Sequence, residues 1–91
     1  MPKRVEVHYA GRVQGVGFRF TVERLVSSKR LTGFVRNLPD GGVELVVEGE
    51  EETIKTVLDT IRREFDRYID TITDHWSEAT GEFKRFGIKN Y

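Results

Sequence analysis

The chain has 91 residues, enough for one compact domain, and a single core is expected over residues 1–91, burying about 60–65% of the surface the unfolded form exposes. Fifteen Lys and Arg balance fifteen Asp and Glu, which argues against holding nucleic acid by an overall basic surface and makes any anion site a local one. Cysteine is absent, and with it disulfides, thiolate nucleophiles and thiolate metal sites; with no secretory leader and no membrane-length apolar run, a soluble cytoplasmic protein is expected.

Between Arg4 and Ala10, Val5, Val7 and Tyr9 alternate with Glu6 and His8, a period of two that predicts a half-buried strand. The next segment, GRVQGVGFRF from Gly11 to Phe20, holds three glycines, two arginines and no acid. Phe18, Val22, Leu25 and Val26 then recur at spacings of three and four, predicting a helix that runs to about Lys29. From Gly33 two β-rich runs flank Pro39, Asp40, Gly41 and Gly42, residues that supply the fixed and positive backbone angles of a hairpin turn. Its second run sets Val43, Leu45 and Val47 on one face and Glu44 and Glu48 on the other.

Glu50, Glu51 and Glu52 open the next predicted helix, where the positive end of the dipole favours acids. Ile54, Val57, Leu58, Ile61 and Phe65 form its apolar stripe. Beyond it, Ile72 and Trp76 predict a strand with Asp74 interrupting their face and Ile69 pointing the other way, and Phe86 and Ile88 predict a short last strand. Strand, helix, strand, strand, helix, strand is the order of a ferredoxin-like α+β sandwich: a βαββαβ chain, one antiparallel sheet with two helices on one face, and here a short C-terminal strand added. The fold alone leaves function open.

The residues offer little conventional catalytic equipment. His8 and His75 have no acidic or histidine neighbour at ligand spacing, so both are expected as surface histidines, with no metal site and no cofactor. Ser27, Ser28 and Ser77 stand outside any glycine-flanked strand-to-helix turn. The glycine-rich segment differs because it joins a strand's end to a helix's start, where backbone N–H groups are unpaired and the dipole is positive. Gly15 and Gly17 allow consecutive amides to curl into a nest, and Arg19 can close it with a planar fork that fits phosphate oxygens. It is neither a dinucleotide fingerprint, since Phe20 stands where a third glycine belongs, nor a Walker loop. An ordinary turn followed by a solvated Arg19 uses the same residues, and local physics leaves both readings open.

GRVQGVGFR together with GFVRNLPDGGVELVVEG resembles the two signature segments of the acylphosphatase family, in the expected order and separation. Gly11, Val13, Gln14, Gly15, Val16, Phe18 and Arg19 match the first; Gly33 through Asn37, Gly41 and Val43 to Gly49 match the second; Phe83 and Phe86 fit the closing pattern. The resemblance implies metal-independent hydrolysis of the carboxyl-phosphate bond of small acyl phosphates by a monomer with no membrane or nucleic-acid partner. It further implies that Arg19 and the amides of Gln14, Gly15, Val16, Gly17 and Phe18 bind the phosphoryl group, while Asn37 positions the attacking water. As a turn residue Asn37 has a plainer reading, beside Pro39, Asp40 and Gly41; its place at the end of a strand predicted to run parallel to the first favours a role at the loop. Arg12 and Arg36 are expected as surface charges. Gly17 departs from the family pattern, where a larger residue is common.

Three other readings share the fold. A non-catalytic phosphate-binding or regulatory module would keep the loop and lose hydrolysis. An RNA-binding sheet would need aromatics on the exposed face of the central strands, and Tyr9 is the one aromatic in the first strand while the hairpin's second strand has none. Similar domains also open larger carbamoyl-transfer maturation proteins, but zinc-finger-like cysteines are missing here, and a free-standing enzyme is expected.

Overall fold

The alternation around Val5, Val7 and Tyr9 forms a ten-residue strand, β1 (Pro2–Gly11), with all three side chains buried. The computed structural model describes residues 1–90, and after β1 come α1 (Phe18–Ser27), β2 (Thr32–Asn37), β3 (Val43–Glu50), α2 (Glu51–Glu64), β4 (Ile69–Glu78) and β5 (Phe86–Lys89). The strands lie in the order β4-β1-β3-β2-β5. β1 pairs antiparallel with β3 and β4, and β3 pairs antiparallel with β2, so β1 and β2 run in the same direction with β3 between them. Among the described residues no helix is long and apolar enough to cross a membrane.

Both helices cover the same face of this sheet. Phe18, Val22 and Val26 from α1 and Ile54, Val57 and Ile61 from α2 are buried with Val5, Val7, Tyr9, Val35, Val43, Leu45 and Val47 in one core. Leu25 and Leu58, which the periodicity also assigned to the stripes, are half-buried at its margin. α1 stops at Ser27 rather than near Lys29, because the Ser28 hydroxyl donates to the Leu25 carbonyl at 2.8 Å and the Lys29 amide closes a turn on Val26 at 3.0 Å. On β4, Ile72, Asp74 and Trp76 do share the helix-side face, opposite Tyr9, Val7 and Val5. There they line an open groove against Leu58 and Arg62 of α2, which explains how an acid is tolerated in that row: it stays exposed to water.

The fifth strand gives the sheet its mixed character. β5 joins the outer edge of β2 in parallel, Gly33 opposite Phe86 and Arg36 opposite Lys89. To reach that edge the chain after β4 crosses the helix-free face, where Phe83 packs edge-on against Phe34 with ring centres 5.8 Å apart and Arg4 lies over the Phe83 ring. Glu48 anchors the crossing. It is only 4% exposed and accepts hydrogen bonds from the Thr80 amide (3.0 Å), the Thr80 hydroxyl (2.8 Å), the Gly81 amide (3.0 Å) and the Arg4 guanidinium (2.9 Å). Burial pushes the Glu48 carboxyl up, but the two amides, Arg4 and the Thr80 hydroxyl together outweigh it and bring it down to about 2.

Candidate functional site

One row of the sheet sets the floor of the site. Tyr9 of β1 and Asn37 of β2 both face Val43 of β3, and since Tyr9 and Val43 are buried beneath the helices, Asn37 lies on the helix side as well. Phe18, the first residue of α1, meets the Tyr9 ring edge-on with centres 4.9 Å apart. The start of α1 is thereby held over the end of the strands from which Asn37 projects. Asn37 is half-buried, and among the described residues its carboxamide makes no hydrogen bond to protein.

The segment between β1 and α1 hangs from two apolar side chains, Val13, which is fully buried, and Val16, which is half-buried against the core. Between and after them Gly15 and Gly17 both take φ of +79°, a left-handed conformation that costs glycine nothing. These two residues turn the loop back so that Gly17 becomes the cap residue of α1, without a side chain to bond the helix's free amides. The first intrahelical bond runs from the Thr21 amide to the Gly17 carbonyl at 3.1 Å. Residues 14 and 15 form a turn that brings the Val16 amide toward the Val13 carbonyl, and among the described residues the backbone amides of Gln14, Gly15, Gly17 and Phe18 donate to no protein acceptor. The first turn of α1 also contains no acid and instead carries Arg19, whereas α2 begins with Glu51 and Glu52. A cation at the positive end of a helix is unfavourable, unless an anion is shared between them.

Gln14 does something the sequence did not disclose. Its side-chain amide donates to the carbonyls of Leu38 and Gly42, each at 2.9 Å, and so ties the loop to the β2–β3 turn immediately after Asn37. That turn is rigid in its own right: the Leu38 amide bonds the Gly42 carbonyl at 2.8 Å, the Gly41 amide bonds Leu38 at 3.1 Å, and Asp40 accepts from the Gly42 amide at 2.7 Å. His8 Nε2 stands 3.2 Å from Asp40 Oδ2, so this histidine, expected at the surface without a partner, has an acidic one supplied by the turn. The Gly42 amide, with His8 alongside, holds the Asp40 carboxyl below its usual value. Nothing in a single sequence pairs position 14 with positions 38 and 42.

Arg19 is half-buried, and its Nη1 donates to Asn90 Oδ1 at 3.2 Å. Asn90 follows Lys89, whose partner across the β2–β5 ladder is Arg36, the residue before Asn37. The bonds of Gln14 to the turn after Asn37 and of Arg19 to Asn90 thus place the loop of Gln14, Gly15, Val16, Gly17 and Phe18, together with Arg19, at the end of the sheet that carries Asn37. Of the two arginines expected as surface charges, Arg12 is exposed and Arg36 bonds Glu44 at 2.6 Å. Ser27 and Ser28 lie at the far end of α1, and Ser77 sits opposite Arg4 at the far end of β1. Among the described residues no group of three or more His, Asp and Glu side chains could share a metal ion. Chemically the site offers donors for an anion and, beside them, a carboxamide with no protein partner among the described residues.

Comparison with known proteins identifies the family and the fold. A family model described as acylphosphatase matches residues 5–88. The acylphosphatase of Caldanaerobacter subterraneus subsp. tengcongensis is 40% identical over 90 residues, covering 97% of this chain and 99% of that protein. The acylphosphatase of Methylococcus capsulatus is 48% identical over 87 residues, covering 94% and 95%. Among solved structures, the acylphosphatase of Bacillus subtilis superposes with a TM-score of 0.86 at 28% identity, covering 96% of this chain and 98% of that one.

Proposed function

The chain belongs to the acylphosphatase family, and from that premise we propose how it hydrolyses acyl phosphates: Arg19 and the loop amides hold the phosphoryl group, Asn37 orients the water, and no metal takes part. The observation that carries this reading is the set of unpaired amides at Gln14, Gly15, Gly17 and Phe18, closed by Arg19 at an acid-free helix start. Such an arrangement presents donors to the equatorial oxygens of a phosphoryl group without having to reorganise during reaction.

The oxygen of a water attacks phosphorus, the bond from phosphorus to the acyl oxygen breaks, and its electron pair leaves with the carboxylate. Because a carboxylate departs readily, no general acid is required. The transition state is loose and spreads charge over the phosphoryl oxygens, so alignment and charge stabilisation are the main demands. The Asn37 carboxamide cannot serve as a strong base, but it can hold the water in line, and the water's proton passes to the phosphate itself. The same reading describes a cytoplasmic monomer acting on a small-molecule substrate without a cofactor, membrane or nucleic acid.

The test is hydrolysis of a model acyl phosphate with a chelator present, comparing wild type with Arg19→Ala and Asn37→Ala. Wild type is expected to be fully active, and each variant to lose at least about a hundredfold in kcat/KM, roughly 2.7 kcal/mol in barrier, as for other preorganised donors. Full activity in Arg19→Ala would sink the phosphate assignment. Phosphate binding without hydrolysis in wild type would favour the non-catalytic module instead.

A further inference from the structure

We propose that the Gln14 side chain is a positioning residue for the reaction, setting the separation between the phosphate cradle and Asn37; this rests on the roles proposed above for both. The carboxamide has two N–H bonds, and each is committed to a different carbonyl of the β2–β3 turn, Leu38 and Gly42, at 2.9 Å. Leu38 is the residue after Asn37 in the chain, and Gly42 precedes Val43, the residue opposite Asn37 across the ladder. The two acceptors therefore bracket Asn37 on both strands. Because the Leu38 amide also bonds the Gly42 carbonyl at 2.8 Å, the Gln14 amide completes a closed set of hydrogen bonds in which neither strand end can move alone.

The loop has few other ties at this point. Val13 and Val16 seat it on the core, while Gly15 and Gly17 have no neighbouring atom within 4 Å of where a Cβ would stand. Without the Gln14 bonds, the amides of residues 14 to 17 are free to drift relative to the turn. An in-line displacement is sensitive to such drift, since a misplacement of about 1 Å costs on the order of a hundredfold in rate. Phosphate binding is less sensitive, because the cradle and Arg19 travel together on the loop and α1. Gln14 thus acts on catalysis through the placement of Asn37 and not by touching substrate with its side chain.

Gln14→Met keeps the length of the side chain and removes both donors. It is expected to lower kcat about 10- to 100-fold while KM and the inhibition constant of inorganic phosphate change by less than about threefold. Gln14→Asn retains the carboxamide one carbon short of the turn and is expected to fall between, which keeps the question open to test if the Met variant does not fold. The decisive comparison is a double-mutant cycle with Asn37→Ala: in that background Gln14→Met should cost less than about twofold more, because the group it positions is gone. Equal losses in both backgrounds, a loss of phosphate affinity matching the loss of kcat, or an unimpaired Gln14→Met each overturn the proposal. If Asn37→Ala itself kept full rate, the underlying assignment of the water would fall first, and this inference with it.

Discussion

Glu48 makes the stability of this enzyme depend on pH in a window that can be named in advance. Its carboxyl is only 4% exposed yet sits at about 2 instead of 4.5, since the amides of Thr80 and Gly81, Arg4 and the Thr80 hydroxyl together outweigh burial. The folded form holds the proton less tightly than the unfolded chain, so the contribution is complete above pH 4.5 and is lost as pH falls from there toward about 2. At about 1.4 kcal/mol for each tenfold change in proton affinity, the contribution is about 3 kcal/mol. In a domain of this size that corresponds to roughly 12–24 °C in Tm. Thermal unfolding of wild type and Glu48→Gln from pH 2 to pH 7 reads it directly. Glu48→Gln, which keeps the shape but turns a donor toward Arg4 and the two amides, should be less stable at pH 7 by about 3 kcal/mol, and the gap should close as pH falls through the window. Parallel profiles over the whole range would refute the reasoning, because the carboxyl would then titrate alike in both states.

Three more outcomes follow from geometry. Gly33→Ala should destabilise by at least about 2 kcal/mol, since φ is +137° and the new Cβ would run into the Val46 carbonyl across the ladder; denaturant unfolding measures it. Gly17→Ala should cost only about 1 kcal/mol, because φ is +79° but nothing stands within 4 Å of the Cβ, and the variant should fold and show weakened phosphate inhibition. Asn90→Asp would set a carboxylate against the Arg19 guanidinium, which now bonds a neutral oxygen at 3.2 Å. KM and the phosphate inhibition constant should rise about three- to tenfold, with kcat nearly unchanged; a fall in kcat alone would contradict it.

The architecture was readable because its signals are local and periodic. Val5, Val7 and Tyr9 at a spacing of two, the stripe from Ile54 to Phe65, and Pro39 to Gly42 between two β-rich runs each determine one element, and the order of elements then restricts the topology. The parallel docking of β5 carries no comparable signal, since four residues around Phe86 and Ile88 fit either direction. Glu48 was equally opaque: its alternation with Val47 reads as a solvated position, and only the crossing of residues 80–83 over that face buries it. At the site, Arg19, Asn37 and the glycines belong to recognisable segments. The Gln14 bonds to Leu38 and Gly42, the His8–Asp40 pair and the Arg19–Asn90 contact join residues 24, 28, 32 and 71 apart, distances over which no pattern in one sequence speaks.

The helix start without a side-chain cap has a thermodynamic counterpart. A capping side chain at such a position is worth about 1 kcal/mol, and α1 forgoes it at Gly17. An anion bound there supplies the missing acceptors, and any ligand that binds only the folded state raises its stability by mass action: about 2.7 kcal/mol at a concentration one hundred times its dissociation constant. Inorganic phosphate, the product, would then slow turnover and protect the enzyme from heat through the same contacts. On that reading the melting temperature would serve as a gauge of phosphate concentration, and the enzyme would be at its most fragile when free to work.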